Sequence, residues 1–430
     1  MTTTAHRLAE ALAPFLPTGP LPVRLRAWDG SEAGPDDAPT VVVRSPRALR
    51  RLLWQPGELG LAEAYIAGDL DTDGDLGAGL AQVWRSLGGR PSSRPRPADL
   101  ARAGRLALGL GAMGPRPKVP QAPRAAMRGR LHSVARDRAA ISHHYDLSND
   151  FYALLLDASM GYSCAYWTRR GEPGYGLAEA QHDKLELICR KLDLSPGMRL
   201  LDIGCGWGSL ALHAARAHGV RGTAVTLSGE QAEYVRARAA REGLDDLVDV
   251  ELRHYRDITG GGYDAVTTIE MGEHVGDSAY PDFASQLHRL LRPRGRLLVQ
   301  QMSRGTNAPG GGPFIETYIA PDMHMRPVGE TVSLLEATGL EVRSVESLRE
   351  HYAWTIEAWY RTLEERWKDF TGLVGEPTAR VWRLYLAGSE LAFAQNRMGV
   401  DQILLVRPDD RGEASLPATP AAWYGDGAGT

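Results

Sequence analysis

Leu200–Ser209 reads LLDIGCGWGS. An apolar, strand-like run ends at Ile203, glycines follow at 204, 206 and 208, and the apolar helical stretch SLALHAARAH begins at Ser209. Strand, glycine turn and helix in that order bring bare backbone close to a ligand. A dinucleotide turn has the spacing G-x-G-x-x-G. Here the spacing is G-x-G-x-G, with a serine at the expected third glycine. The acidic residue that holds a dinucleotide ribose about twenty residues further on is also missing. AVTLSGEQ offers Thr226 and Gln231 around the end of the next strand, with Glu230 less well placed. The turn is built for a ligand other than a pyrophosphate.

Working outward, seven short apolar runs alternate with helical stretches from Ile141 onward: MRLLDIG, RGTAVTL, DLVDVEL, YDAVTTIE, GRLLVQQ, EVRSVES and DQILLVRP. That alternation implies crossover units and a mainly parallel sheet. The final pair lacks a simple crossover, which predicts an antiparallel last strand. Residues 1–88 read as a small α+β domain, with strands in LPVRLRAWDG and TVVVRS and helix in PRALRRLLWQPGELGLAEAYIAG. Residues 89–139 crowd Pro, Gly and Arg and read as a basic linker with one or two short helices. The sheet domain then fills 140–408, and the Gly, Ala, Asp and Pro-rich 409–430 reads as a flexible tail. A chain of 430 residues is long enough for two folded parts.

Composition narrows the class. With 43% hydrophobic residues, 24% charged and a formal net charge of −4, the chain is neither disordered throughout nor generally attracted to nucleic acid. Its charge is uneven, however: Arg90 to Arg138 holds twelve Lys/Arg against two Asp. Basic residues interleaved with LALGLGAM suit an anionic phospholipid surface and equally a solvated linker. They lack the regular aromatic interleave of an RNA-binding segment. Cys164, Cys189 and Cys205 form no CxxC and no Cys/His pair at ligand spacing, which fits a reducing cytoplasm and no structural zinc. The N-terminus lacks a basic start with an apolar core, and no apolar run approaches the ~20 residues of a membrane span. The expected location is cytoplasmic, at most peripheral on the inner face of the cell membrane.

Asp202 before the turn, the three glycines and a later acidic position, Asp257 in HYRD, resemble the S-adenosylmethionine pocket of class I methyltransferases. Two further blocks narrow this: HHYDLSNDFYALLLDASMGYSCAYW before the turn and IEMGEHVG after the fourth strand. Together with LDIGCGWGS, VTLS and HYRD in this order, they closely resemble the cyclopropane-fatty-acid synthase family over about Ile141 to Pro408. The first domain resembles, more weakly, the lipid-binding domain of the phospholipid-acting members. The resemblance implies a Rossmann-like class I methyltransferase with a seven-stranded sheet and a small N-terminal α+β domain. It implies S-adenosylmethionine as cofactor and the double bond of an oleoyl-type chain in membrane phospholipid as substrate. Carried across residue by residue, it assigns cofactor contacts to Tyr162, Ser163, Asp202, Gly204, Gly206, Gly208, Thr226, Gln231, Tyr255, Arg256 and Asp257. It also places a bicarbonate ion near the transferred methyl, held by Cys164, Glu273 and Tyr352 with backbone around Met302.

The chemistry asks for such a pocket. An isolated alkene is a poor nucleophile, so the sulfonium methyl must lie in line with the π bond while water is kept from the resulting cation. Aromatic faces stabilise that cation. A base must then take a proton, and a carboxylate or bound bicarbonate beside Glu273 and Tyr352 would serve. One departure matters: Gln300 stands where the cyclopropane synthases have a histidine. Glutamine still hydrogen-bonds, but it cannot shuttle a proton near neutral pH. That weighs against bicarbonate and against ring closure. It favours the family's other route, in which a hydride shift and deprotonation leave a 10-methylene chain that a separate reductase saturates, as in the tuberculostearic pathway of actinobacteria, whose high-GC composition the Arg/Ala/Gly content suits. Cyclopropane closure on the same substrate is the alternative.

Other readings stay beside these. His143 and His144 read as structural histidines. Cys164 and Glu273 would be a packed thiol and a helix cap in a chain without this function. Tyr352, Ile356, Trp359, Tyr360 and Leu363 recur at helical spacing, as core or as the wall of an acyl tunnel. A lipid-binding protein with a dead methyltransferase fold would lack the glycine turn, YSC or Glu273, and all are present. A small-molecule or RNA methyltransferase is the remaining enzyme class. Self-association would let one subunit grip the bilayer while another reacts.

Overall fold

A computed structural model of the chain describes residues 2–13, 21–87, 97–125, 127–145, 147–305 and 311–424. It divides into two compact units. One comprises Met1–Arg124, Pro313–Tyr318 and Leu363–Leu391; the other comprises Ala125–Gly312, Ile319–Thr362 and Ala392–Thr430.

The first unit carries a four-stranded sheet of β1 (Arg24–Arg26), β2 (Glu32–Ala33), β3 (Thr40–Val43) and β4 (Leu70–Asp73), in the order β2-β1-β3-β4. The expected helical stretch forms two helices, Arg47–Trp54 and Glu58–Ile66, with Gly57 at φ +91° between them. Half of the expected linker is folded into this unit. In the helix Pro97–Gly109 and just beyond it, Ala103, Ala107 and Leu110 form an apolar stripe at i, i+4, i+7, and Ala107, Leu110 and Ala112 join Ala5, Leu8 and Leu25 in one core. The stripe is made of small residues, so the surrounding Arg, Gly and Pro masked it. Residues from the far end of the chain complete the unit: Arg380 is buried, donates to the Tyr65 and Leu70 carbonyls at 2.7 and 3.1 Å, and pairs with Asp71 at 3.3 Å.

The second unit holds all seven expected strands: β5 (Arg199–Ile203), β6 (Arg221–Thr226), β7 (Val248–Leu252), β8 (Tyr263–Ile269), β9 (Leu291–Ser303), β10 (Glu341–Ser347) and β11 (Gly399–Val406). Their order is β10-β11-β9-β8-β5-β6-β7, and β11 runs antiparallel to both neighbours, as expected. Strand order reverses beside β5, which has β6 on one side and β8 on the other. In an open α/β sheet, ligands bind in the crevice at the carboxyl ends of the strands at such a point. The tail is docked rather than loose as far as it is described. Trp423 is buried against the core containing Ile188, Leu192 and Leu404, and Tyr424 donates to Glu346 at 2.9 Å. One tryptophan is enough to anchor an otherwise small and polar segment; residues 425–430 of the expected tail lie outside the described ones.

Candidate active site

The glycine turn is bare for two different reasons. Gly204, Gly206 and Gly208 have φ of +83°, +54° and +78°, the left-handed region that side chains disfavour. A Cβ on Gly204 would meet Met271 at 2.8 Å and one on Gly208 would meet Val235 at 2.8 Å, whereas one on Gly206 would meet nothing within 4 Å. Gly204 and Gly208 thus serve close packing, and Gly206 leaves space for a ligand.

That space is a cavity at the carboxyl ends of β5, β6 and β8. Tyr162, Ser163, Asp202, Gly204, Gly206, Thr226, Gln231 and Tyr255 all line it. Gly208, Arg256 and Asp257 do not. Arg256 and Asp257 are exposed, and the Arg256 guanidinium lies over the Tyr255 ring at 5.1 Å. The side chains of His143 and His144 lie outside the described ones. Asp202 accepts from the Thr267 hydroxyl at 2.8 Å, and burial pushes its carboxyl up to about 6. Gln231 accepts from Thr226 at 2.8 Å and leaves its buried Nε2 without a partner among the described residues. A buried donor in that state calls for a ligand acceptor. Open space at Gly206, a buried carboxylate and an amide donor in waiting fit a cationic amino-acid nucleoside such as S-adenosylmethionine.

The helix Leu177–Leu192 holds the YSC segment against this cavity. Gln181 donates to the Gly161 and Ser163 carbonyls at 3.0 and 2.9 Å, and Lys184 donates to the Ser163 hydroxyl at 3.0 Å. Lys184 and His274 also line the cavity. Burial lowers both, His274 to about 4, so its imidazole is neutral. Sequence reasoning passed over Lys184, because a lysine within an amphipathic helix carries no signal of its own.

The larger omission is Glu270. It follows β8 directly, lines the cavity, and sits at φ +52°, a backbone conformation that glutamate adopts only under constraint. Three of the four residues expected to do chemistry converge on its carboxylate. The Cys164 backbone N–H donates at 2.8 Å, the Gln300 Nε2 at 2.8 Å and the Tyr352 hydroxyl at 2.6 Å. The Cys164 thiol points elsewhere, toward the Ala165 and Leu348 carbonyls, and burial pushes it far up, so it is no nucleophile. Glu273 is set apart. Its Oε1 accepts from the Met302 backbone at 2.5 Å, its Oε2 has no partner among the described residues, and it does not line the cavity. Burial, then repulsion from Glu270, push Glu273 up to about 8, which leaves it protonated at neutral pH. Burial raises Glu270 as well, and its three donors and Lys184 oppose that rise. The two neighbouring carboxyl groups thus differ in their surroundings: three donors meet Glu270 and one meets Glu273. A signal did exist: Glu270 is the charged residue at the carboxyl end of the strand beside the switch point.

A line of side chains sets the direction of the Gln300 donor. Lys191 donates to Glu346 at 2.5 Å and to the Gln402 Oε1 at 2.8 Å, and the Gln402 Nε2 donates to the Gln300 Oε1 at 2.9 Å. An ammonium can only donate. It therefore fixes which way both amides point and turns the Gln300 NH₂ toward Glu270. Aromatic rings enclose the neighbourhood: Tyr162 lies 5.2 Å from Trp359 and 5.5 Å from Tyr152, and Tyr152 lies 4.5 Å from Trp207. Trp359 and Tyr352 belong to the helix Arg349–Glu365, whose expected apolar face is buried.

Comparison with known proteins gives the family. The model of the family described as mycolic acid cyclopropane synthetase matches residues 132–403. The chain belongs to that family. It is 40% identical over 434 residues to a protein of Mycobacterium tuberculosis named probable fatty acid methyltransferase, covering 99% of this chain and 100% of that one. It is 33% identical over 401 residues to the tuberculostearic acid methyltransferase of the same organism, covering 90% and 88%. Among solved structures, a mycolic acid cyclopropane synthase complexed with SAH and CTAB superposes with a TM-score of 0.58 at 32% identity, covering 63% of this chain and 98% of that one. The larger unit has the class I methyltransferase fold, and the chain is an S-adenosylmethionine-dependent methyltransferase of this family.

Proposed function

We propose that the chain methylates the double bond of an oleoyl-type acyl chain in membrane phospholipid and that Glu270 removes the proton that completes the reaction. The observation that carries this reading is the convergence of the Cys164 N–H, the Gln300 amide and the Tyr352 hydroxyl on one carboxylate facing the cofactor cavity. Bicarbonate does not fit here, because two donors that the family would aim at it, from Cys164 and Tyr352, are bonded to Glu270 instead. No step is therefore routed through that ion.

S-adenosylmethionine, when bound, supplies the methyl group that the alkene π electrons attack. Gly206, Asp202 and Gln231 hold the cofactor, and Tyr162, Trp359 and Tyr352 keep water from the cation left on the acyl chain. A 1,2-hydride shift moves the positive centre to the carbon bearing the new methyl. Glu270 then takes a proton from that methyl, the C–H electrons form the exocyclic C=C bond, and a 10-methylene chain results. A separate reductase would saturate it to the 10-methyl chain. If deprotonation preceded the hydride shift, a cyclopropane would form from the same atoms. Two features support the methylene route: Gln300 in place of histidine and the likeness to the tuberculostearic acid methyltransferase.

The protein acts, on this reading, at the inner face of the cell membrane. No helix among the described residues is long and apolar enough to cross a membrane. The first unit instead offers a surface of suitable chemistry. Leu53, Trp54 and Met113 are 50%, 55% and 68% exposed, and Arg50 and Arg116 bond at the same helix end, to the Ala112 carbonyl and to Gln55. Arg50 and Trp54 donate to the carbonyls of Ala112 and Gly114, which keeps the helix end and the basic segment together. Apolar side chains ringed by cations suit anionic headgroups. Sedimentation with phosphatidylglycerol vesicles tests this, with Trp54→Ala expected to weaken binding.

The product decides between the two routes. Oleoyl phosphatidylglycerol treated with the purified protein and methyl-labelled S-adenosylmethionine should give exocyclic vinylidene signals in the proton NMR spectrum. Upfield cyclopropane signals alone would overturn the methylene route.

A further inference from the structure

The helix Leu177–Leu192 has a second polar face that the methyl transfer does not use. Gln181, Lys184 and Ile188 face the cofactor side, while His182, Glu186 and Cys189 lie on another face at i, i+4 and i+7. In the same unit, the helix Ser209–His218, which follows the glycine turn, brings His213 and His218 to that face. His213 Nε2 lies 2.6 Å from Glu186 Oε1, and His218 Nε2 lies 3.4 Å from the same oxygen. The His182 and His213 rings meet edge to face with centroids 5.4 Å apart. Ligand atoms of His182, Glu186 and His213 all lie within 4.8 Å of one another, and so do those of Cys189, His213 and His218. None of these residues lines the cofactor cavity.

Two imidazoles meet the same Glu186 oxygen and a third stands beside them. Ligands about 2.0–2.1 Å from a tetrahedral zinc ion are separated by roughly 3.4 Å. The His218–Glu186 separation already has that value, and His213 belongs to both trios. Three imidazoles and a carboxylate suit borderline divalent transition metals and not calcium or magnesium, which prefer oxygen alone. The site is accessible: the His182 side chain is 64% exposed, against 12% for His213 and 21% for His218.

We propose that His182, Glu186, His213 and His218 form a site for a divalent transition metal of the zinc class. The ion would clamp the helix that carries Lys184 and Gln181 to the helix that follows the glycine turn, and so steady two walls of the cofactor cavity. The spacing H-x₃-E followed by H-x₄-H, with 26 residues between Glu186 and His213, became a cluster only when the two helices packed together. The expectation of no metal rested on cysteine spacing and did not weigh these histidines.

The test uses the full chain, with any histidine tag removed and stripped by chelator, titrated with Zn²⁺ and separately with Co²⁺. One metal ion per chain should bind, the Co²⁺ form should show the visible absorption of a four-coordinate ion, and the melting temperature should rise. His213→Gln with His218→Gln should weaken binding by more than the ~10–100-fold that loss of an outer-shell partner costs. His182→Ala, an exposed change, should weaken it less and leave methyl transfer by the metal-free protein unchanged. Zn²⁺ binding of equal strength in the wild type, the double variant and His182→Ala would overturn the proposal, as would no binding by the wild type. The outcome is independent of the acyl-chain reading, because it needs neither lipid nor turnover.

Discussion

The cofactor turn after β5 and the proton pocket after β8 lie on neighbouring strands of one sheet, yet they are built in opposite ways. The turn is backbone, made by one continuous segment whose glycines leave room. The pocket centres on a side chain, and the donors to its one carboxylate, a backbone N–H and two side chains, come from positions 164, 300 and 352. The first can tolerate change in its surroundings but not in its own residues. The second depends on a carboxylate and on everything that orients it.

The sharpest way to break the comparison is to remove the carboxylate. Glu270→Gln should lower turnover by roughly 10²–10⁴-fold, the range expected for loss of a general base, with cofactor affinity nearly unchanged. Glu273→Gln, which mimics the protonated acid already present, should cost far less. Steady-state turnover and calorimetric cofactor binding on both variants check this, and equal losses would merge the two carboxyl groups into one function.

On the turn, Gly206→Val places a branched side chain in the ligand's space at φ +54°. Cofactor affinity should fall by about 100-fold, since even a modest clash forfeits the ~2.7 kcal/mol that this factor represents. Gly208→Val, driven against Val235, should instead lower the melting temperature. Calorimetry and thermal unfolding separate the two, and a reversed pattern would exchange the roles assigned to these glycines.

A smaller effect concerns orientation. Glu270 must be ionised to accept a proton, and burial raises it, so turnover should rise with pH along an acid limb above the usual carboxylate range. Lys191→Met frees the Gln402 and Gln300 amides to flip, and a lost donor to a carboxylate raises its pKa. The limb should then move up in pH, and turnover below it should fall. An unshifted pH profile would reduce Lys191 to a packing role. Cofactor affinity should likewise rise with pH through about 6 as Asp202 ionises beside a cationic ligand.

The same contrast explains what could be read without coordinates. The seven strands and the antiparallel β11 follow from periodicity and the glycine turn from one local motif, while the cofactor contacts follow from the resemblance to the cyclopropane-fatty-acid synthase family; all are written in short runs of consecutive residues. Glu270 stood in the IEMGEHVG stretch beside Glu273, and only its place directly after β8 separates the two locally. The three donors that distinguish Glu270 meet through tertiary folding. The small-residue stripe from Ala103 to Leu110 and the anchor at Trp423 were hidden for a related reason: Pro, Gly and Arg around them dominate any compositional count, while burial depends on a few well-placed apolar atoms.

The most direct test of the central claim is methyl transfer to oleoyl phosphatidylglycerol in buffer stripped of carbon dioxide, with and without added bicarbonate. If Glu270 is the resident base, wild-type turnover is the same in both, and Glu270→Gln is equally impaired in both. Wild-type turnover that collapses without bicarbonate and returns with it, while Glu270→Gln behaves like the wild type, would contradict the account.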